Sequence, residues 1–526
     1  MSAATHTPMH HRAEHGVTRS LVALLARVEH TRLGPDRVVN HATQDSREIG
    51  PGGIFVATRG SSWDGHGFIA KALAAGASAI IAERHPEAAD GFEAERASWV
   101  VVPDALYALA CIAAAWYGHP GREVPVLATT GTNGKTTTSY LLRQVADQLG
   151  KRTGLISTVE ILVDRDKYPT IFTTPPSPEF QRLLADMRDS GCDFAIVEAS
   201  SHGLHQHRIA AFEVAVAGFT NLSRDHLDYH PTMEAYEAAK ATLFTTLTRA
   251  ACINIDSPAG RRMAGHVEAR ALPLVTVSPS GQPATLSAHE VHSTLAGLSA
   301  TIQVGPIGNH GPRTLTLRSP LIGRHNLENL LVALGMATLA GLDLDQVALA
   351  LASAIGAPGR LERVQLASHH GEQPAVFVDY AHSPDALDNV LSALRPLVPG
   401  KLVCVFGAGG DRDKGKRPEM AKAAARHADR LVLTSDNPRT EDPEAILDDI
   451  AAGLTTEHHG RHHRIADRAE AIALAIADAG PDDAVLIAGK GHEDYQIVGT
   501  TRHPFDDRAV AQKVLERRQA AREVTA

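Results

Sequence analysis

The residues best equipped for chemistry are Gly131-Thr132-Asn133-Gly134-Lys135-Thr136. Glycines allow a tight backbone turn whose successive N–H groups face an anion. Lys135 can reach terminal phosphates, the Thr136 hydroxyl suits Mg2+, and Thr137 extends the polar run. The segment follows the apolar stretch VPVLATT and opens the helical stretch KTTTSYLLRQVADQLG. That is the context in which a helix N-terminus binds phosphate. The full GxxxxGK[ST] pattern is not met, because Thr129 stands in place of the first glycine. A chance glycine turn before a helix is the plain alternative. Strand, loop and helix together favour nucleotide binding, with ATP and Mg2+ as the expected cofactors.

Glu198 closes the apolar run FAIVE and suits magnesium near a phosphate loop; the plain alternative is a solvated strand-end acid. Asp225 and His226 follow another strand end, and His226 could bind a second metal, although a lone histidine is more often structural. Lys240, in MEAYEAAKATLF, reads by pattern as a solvated helix lysine.

These clusters must be positioned by elements, and the elements repeat one plan. GTNGKTT, EASSHG, TNLSRDH, YAHSPD, GGDRDKGK, SDNPR and GKGHE each sit just after an apolar strand-like run. Open α/β sheets bind ligands at the carboxyl ends of their strands. The pattern therefore implies one cleft served by two sheets. The expected fold is α/β with three domains. A smaller α/β domain spans 17–121, a P-loop ATPase-like parallel sheet spans 122–357, and a Rossmann-like sheet spans 358–526. Residues 1–16 read as a disordered tail, and 283–320 as an antiparallel insertion.

Composition sets the bounds. The 526 residues exceed what one core organises, and 44% of them are hydrophobic but only 4% aromatic, which suits layered α/β packing. A net charge of −9 gives no basic field to draw in nucleic acid. The four cysteines are far apart with no CxxC, so a reducing cytoplasm is the expected compartment. No signal peptide and no membrane span are read from the chain. The histidine-rich stretches HTPMHHRAEH and His458–His463 read as exposed loops.

Together the clusters resemble the Mur ligases, and within them the branch that adds a diamino acid. The resemblance runs from Asp45 to Arg508. It is carried by DSR (45–47), GTNGKTTT (131–138), TTP (173–175), EASSHGL (198–204), TNLSRDHLDYH (220–230), NLEN (326–329), DYAHSPDAL (379–387), GGDRDKGKRP (409–418), DNPRTEDP (436–443) and GKGHEDYQ (489–496). It implies an ATP-dependent ligase of peptidoglycan precursor synthesis, serving the cell wall, cell shape and cell division. The implied reaction joins meso-diaminopimelate to UDP-N-acetylmuramoyl-L-alanyl-D-glutamate through an acyl phosphate. It further implies that Lys240 is carbamylated and supports a second metal with His226. Lys135, Glu198, His226 and Lys240 become the catalytic set, and Thr136, Glu198, His226 and Lys240 the metal set.

The family pattern carries to Asn326, Arg360 and Asp379 for adenosine. For the uridine-muramyl substrate it carries to Ser46, Ser61, Ser62, Trp63, Thr173, Thr174, Ser200, Gln206 and Arg208. For diaminopimelate it carries to Arg412, Asp436, Asn437, Pro438, Arg439, Gly489 and Glu493. meso-Diaminopimelate is lysine plus one carboxylate, which the Arg439 fork can hold bidentately. Lysine would leave that guanidinium unpaired, a strong basis for selection. Four positions depart from the family pattern: Phe172, Pro231, His325 and Ser383. A lysine-adding ligase, a folylpolyglutamate synthase and a regulator with a dead site are the alternatives. Arg439, the DNPR and GKGHE pair, and the intact Lys135, Glu198 and Lys240 argue against them in turn. A monomer is expected.

Overall fold

The computed structural model describes residues 17–60, 63–307, 311–364, 366, 373–458 and 460–523. The leading tail, Ser61 and Ser62 lie outside them. The chain forms two compact units: Met1–Lys135 with Gly150–Val275, and Thr136–Leu149 with Thr276–Ala526. Its architecture is α/β with large parallel sheets.

The first unit begins with a five-stranded sheet of β1 (Thr31–Leu33), β2 (His41–Thr43), β3 (Gly53–Val56), β4 (Ala79–Ala82) and β5 (Ser98–Val101), ordered β1-β5-β4-β3-β2. Strands β3 and β4 are buried along their whole length, as expected for parallel strands covered on both faces. The helix Ala105–Trp116 is alanine-rich and starts at Asp104, whose carboxylate accepts from Tyr107 N. Asp104 also meets His207 Nε2 at 3.0 Å, tying this block to the next sheet.

That sheet contains β6 (Val126–Thr130), β7 (Thr153–Ile156), β8 (Ile161–Val163), β9 (Asp166–Tyr168), β10 (Phe194–Glu198), β11 (Val216–Phe219) and β12 (Ala251–Asn254), ordered β9-β8-β7-β10-β6-β11-β12. Strand β6 lies between β10 and β11, parallel to both, and all three are buried throughout. The clusters after these strands therefore leave one edge of the sheet side by side, as the spacing implied.

The second unit contains the helix that follows the phosphate loop, the continuation of β13 (Leu274–Ser278), and an antiparallel run of β14 (Leu286–Thr294), β15 (Gly297–Val304) and β16 (Arg313–Ser319). In β15 the residues Leu298, Ala300, Ile302 and Val304 are buried and alternate with more exposed neighbours, the period-two signature of a sheet with one wet face. Gln144 fixes the phosphate-loop helix here, donating to Gly356 O at 2.8 Å and accepting from Ile355 N at 2.9 Å.

The last sheet contains β17 (Glu362–Arg363), β18 (Ala375–Asp379), β19 (Leu402–Phe406), β20 (Arg430–Leu433), β21 (His462–Arg464) and β22 (Ala484–Ala488), ordered β17-β18-β22-β19-β20-β21. It is parallel except at β17. A two-stranded ribbon, β23 (Tyr495–Val498) and β24 (Thr501–Pro504), follows. All four cysteines are buried and none is in a disulfide. Among the described residues no helix is long and apolar enough to cross a membrane.

Candidate active site

In the first unit the phosphate loop leaves β6 and is cradled by the loop after β11. Thr132 N donates to Asn221 O (2.9 Å), Asn133 N to Asn221 Oδ1 (3.0 Å), and Thr220 Oγ1 to Asn133 O (2.6 Å). Gly131 has φ of +151°, and a Cβ there would lie 2.0 Å from Thr220 Oγ1. Glycine is therefore required by contact as well as conformation.

Lys135 folds over this loop, with Nζ donating to Gly131 O (2.9 Å) and Thr132 O (2.8 Å). Lys240 Nζ donates to the same Gly131 O at 2.8 Å. Lys240 is 1% exposed, so the pattern reading of a solvated lysine is overturned. The helix Met233–Thr242 turns this side inward, placing Tyr236 one turn earlier with its ring 4.6 Å from Nζ. Burial, then the neighbouring Lys135, pushes the Lys240 ammonium well below its ordinary range.

Glu198, at the end of β10, is fully buried. Its oxygens accept from Thr158 N (2.9 Å) and Thr158 Oγ1 (3.1 Å), and that hydroxyl also reaches Thr173 Oγ1 (3.1 Å). Thr174 Oγ1 donates to Glu198 O (2.7 Å) and lies 3.0 Å from Ser200 Oγ. Thr173, Thr174, Glu198 and Ser200 thus share one corner. Arg208 extends it, donating to Thr174 O (2.6 Å) and to Gln206 Oε1 (2.6 and 3.0 Å). Its guanidinium faces the Phe172 ring at 5.1 Å.

His226 has φ of +53° and stands edge-on to His202 at 5.1 Å. Burial lowers its basicity, and burial with His226 and His230 takes His202 down to about 4. Tyr229, which the residue types did not single out, joins this group to the corner around Glu198 and Arg208. Its hydroxyl meets His205 Nδ1 and Gln206 Nε2, each at 2.9 Å. Tyr229, His202 and Thr158 carry no signal of their own; the first two are visible only as members of quoted motifs. In the first block Ser46 lies in the turn between Asp45 and Arg47. Arg47 holds the Asp45 carboxyl down at about 2. Trp63 is 47% exposed.

In the second unit Asn326 is buried and donates to Ile322 O (2.9 Å). Asp379 accepts from Leu361 N (2.6 Å) and Ala381 N (2.8 Å), and Arg360 lies 5.0 Å from the Tyr380 ring. Ser383 caps the helix Pro384–Leu394, accepting from Ala386 N.

The loops after β19, β20 and β22 form a second polar cluster. Asp436, Asn437, Pro438 and Arg439 make one wall, with Arg439 Nη1 donating to Gly410 O (2.7 Å). A Cβ on Gly489 would lie 2.9 Å from Asp436 Oδ2. Glu493 Oε2 accepts from Asn437 Nδ2 at 3.1 Å. Arg412 is exposed and donates to Asp411 O (3.2 Å). Behind them buried Arg417 pairs with Glu441 (2.8 Å) and Asp449 (2.8 Å), and Arg417 first among several partners holds the Glu441 carboxyl at about 2. Glu441 in turn accepts from Asp411 N (2.5 Å).

Comparisons with known proteins match the chain along its length. The family model "Mur ligase middle domain" matches residues 129–337, "Mur ligase, glutamate ligase domain" 359–491, and "Mur ligase family, catalytic domain" 39–117. The UDP-N-acetylmuramoyl-L-alanyl-D-glutamate–2,6-diaminopimelate ligase of Gloeobacter violaceus is 43% identical over 494 residues, 93% of this chain and 96% of that protein. A solved structure of an enzyme with the same name is 35% identical, with a TM-score of 0.67 over 91% of this chain and 95% of that one. The MurF ligase of Thermotoga maritima, solved with ADP, shares the fold at 21% identity, with a TM-score of 0.53 over 91% of this chain and 98% of that one.

Proposed function

The chain belongs to the Mur ligase family, and on that premise we propose that it adds meso-2,6-diaminopimelate to UDP-N-acetylmuramoyl-L-alanyl-D-glutamate, using ATP, in peptidoglycan precursor synthesis. The D-glutamate carboxylate takes the terminal phosphoryl group, giving ADP and an acyl phosphate. The amine of diaminopimelate adds to the acyl carbon and loses a proton; phosphate departs and an amide remains. The three-domain division (17–121, 122–357, 358–526), a monomeric state and a cytoplasmic location belong to the same reading.

The observation that carries it is the pair of lysines on one carbonyl, Lys135 and buried Lys240 at Gly131 O. Burial disfavours the Lys240 ammonium first, the nearby Lys135 cation adds to it, and the lowered basicity of Lys240 is the result. Its neutral amine is a nucleophile for CO2. Addition, with loss of a proton, converts it to a carbamate and turns a repelled cation into an anion.

The residue types assigned to the metal suit Mg2+, which prefers oxygen donors: Glu198, the Thr136 hydroxyl and the Lys240 carbamate, with His226 as the nitrogen donor of the set. Bound there, Mg2+ would offset the negative charge of carboxylate and phosphates. Gly131, Thr132, Asn133, Gly134, Lys135, Thr136 and Thr137 are assigned to the phosphates, and Asn326, Arg360 and Asp379 to adenosine. Thr173, Thr174, Ser200, Gln206 and Arg208 are assigned to the muramyl-peptide end, and Ser46 and Trp63, with Ser61 and Ser62, to the uridine end. Arg412, Asp436, Asn437, Pro438, Arg439, Gly489 and Glu493 are assigned to diaminopimelate.

Phosphate release with ATP, Mg2+ and the nucleotide substrate, comparing meso-diaminopimelate with L-lysine, tests this. Release with diaminopimelate alone, lost in Lys240→Ala and Arg439→Ala, is expected. The intact wild-type protein should also carry the mass of one CO2 on Lys240. No release with either amino acid would sink the proposal, and equal release with lysine would sink the role given to Arg439.

A further inference from the structure

The amino-acid pocket of the second unit is held from behind by residues outside the set assigned above. One short segment of the ribbon ties down successive residues of the loop 436–439. Gln496 Nε2 donates to Asp436 O (2.7 Å) and Ile497 N to Asn437 Oδ1 (2.9 Å). Arg439 N donates to Ile497 O (3.0 Å) and Gly499 N to Arg439 O (2.7 Å). The last two bonds grip a residue with φ of +51°, where a side chain is disfavoured and something must hold it.

Lys490 supplies the second hold. It is fully buried, and its Nζ donates to Glu493 Oε2 (3.1 Å) and Asn437 Oδ1 (3.2 Å) and lies 3.7 Å from Asp436 Oδ1. Asn437 is thereby used at both ends, since its Nδ2 also donates to Glu493. A buried ammonium with this many oxygen partners is a fixed counter-ion, and the carboxylates around it take their places from it.

We propose that Lys490 and Gln496 are positioning residues of the amino-acid pocket. Together they fix the separation between the Glu493 carboxylate and the Arg439 guanidinium, and so the choice of a diamino dicarboxylic acid over a diamino monocarboxylic one. The inference rests on the assignment of this pocket to diaminopimelate. Glu493 and Arg439 read opposite charges on one ligand of fixed length, so a loop that shifts loses both contacts at once.

The test is steady-state kinetics of the full-length protein, varying ATP, the nucleotide substrate and diaminopimelate in turn. The variants are Gln496→Leu, Lys490→Met and Lys490→Arg, with thermal melts alongside. Gln496→Leu should raise the KM for diaminopimelate roughly tenfold and cut the preference over lysine by a similar factor. The KM values for ATP and the nucleotide substrate should stay within about twofold. Lys490→Met should do more, and Lys490→Arg should recover part of that loss. Three KM values rising together, or an unchanged KM for diaminopimelate in Gln496→Leu, overturns the inference. A wild-type protein that makes no product with diaminopimelate overturns the assignment of the pocket instead, and the two failures are distinct.

Discussion

The phosphate loop of the first unit and the polar cluster of the second, proposed above as the amino-acid pocket, both hang from the ends of adjacent parallel strands, but they hold their backbones differently. In the first, the unusual dihedrals of the loop fall on Gly131 and Gly134, which have no Cβ to strain. In the second they fall on Gly489 and Gly491 but also on Asp411 and Arg439, which carry side chains. A glycine loop holds its shape once a neighbouring loop covers it. A strained residue with a side chain must be braced, and the braces here are ion pairs and a ribbon. The difference teaches that the first site is built mainly by local sequence and the second by contacts between distant residues.

The largest effect should come from the first site. Lys135→Met should cut kcat by about 10^3-fold or more, since it removes the charge that the proposed mechanism assigns to the transferring phosphoryl group. The KM for diaminopimelate should move little. Rapid-quench turnover with each substrate varied checks this, and a large change in that KM would blur the contrast between the two sites.

Next comes the brace of the second pocket. Arg468 and Asp507 are both fully buried and paired at 2.7 Å. The same guanidinium donates to Ser435 O and Ala488 O, where two pocket loops leave β20 and β22. Arg468→Met leaves Asp507 charged and unpartnered, so a loss of about 3–5 kcal/mol is expected. Denaturant unfolding measures it. A loss under about 1 kcal/mol, the range of exposed pairs, would show that the brace is not needed.

Gly131→Ala tests the first site's reliance on glycine. The added methyl meets Thr220 Oγ1, so the loop must shift, and a loss of roughly 10^2-fold in kcat/KM is expected from a displacement of about 1 Å. Pairing it with Thr220→Ser would not help, because the hydroxyl remains; Thr220→Ala should recover part of the loss. Recovery absent in the double variant would assign the damage to backbone strain and to the Asn221 backbone, 3.1 Å from the added methyl.

The same contrast explains what was legible. The strand-like runs and the seven polar clusters after them could be read because parallel strands buried on both faces are continuous apolar runs, as AIIA and AVLIA are. The phosphate loop could be read because its strand, turn and helix lie within one short stretch. Lys240 could not: it recurs at three-residue spacing with Glu234 and Glu237 and so reads as part of one charged stripe, and only packing against Gly131 and Tyr236 shows that it is buried. Lys490 and Gln496 stood inside the quoted GKGHEDYQ, but their holding role was hidden, because Asn437 and Asp436, which they grip, lie 53 and 60 residues away. Arg439 drew notice for its chemistry, while the ribbon that grips it had no signal beyond alternation too short to weigh.

The smallest expected effect concerns Phe172, where the family pattern has a polar residue. Its ring is 43% exposed and faces the Arg208 guanidinium, which is already held by Thr174 O and Gln206. A cation over an exposed aromatic face gains about 0.5–1 kcal/mol. Because Arg208 keeps its hydrogen bonds without the ring, Phe172→Ala should raise the KM for the nucleotide substrate only about three- to fivefold, with kcat unchanged. Isothermal titration with the nucleotide substrate measures the same quantity without turnover. Tighter binding in Phe172→Ala would mean that the ring obstructs the substrate rather than steadying Arg208. The first site would then carry, beside His226 with its positive φ, a further side chain kept at a cost, as Arg439 is in the second.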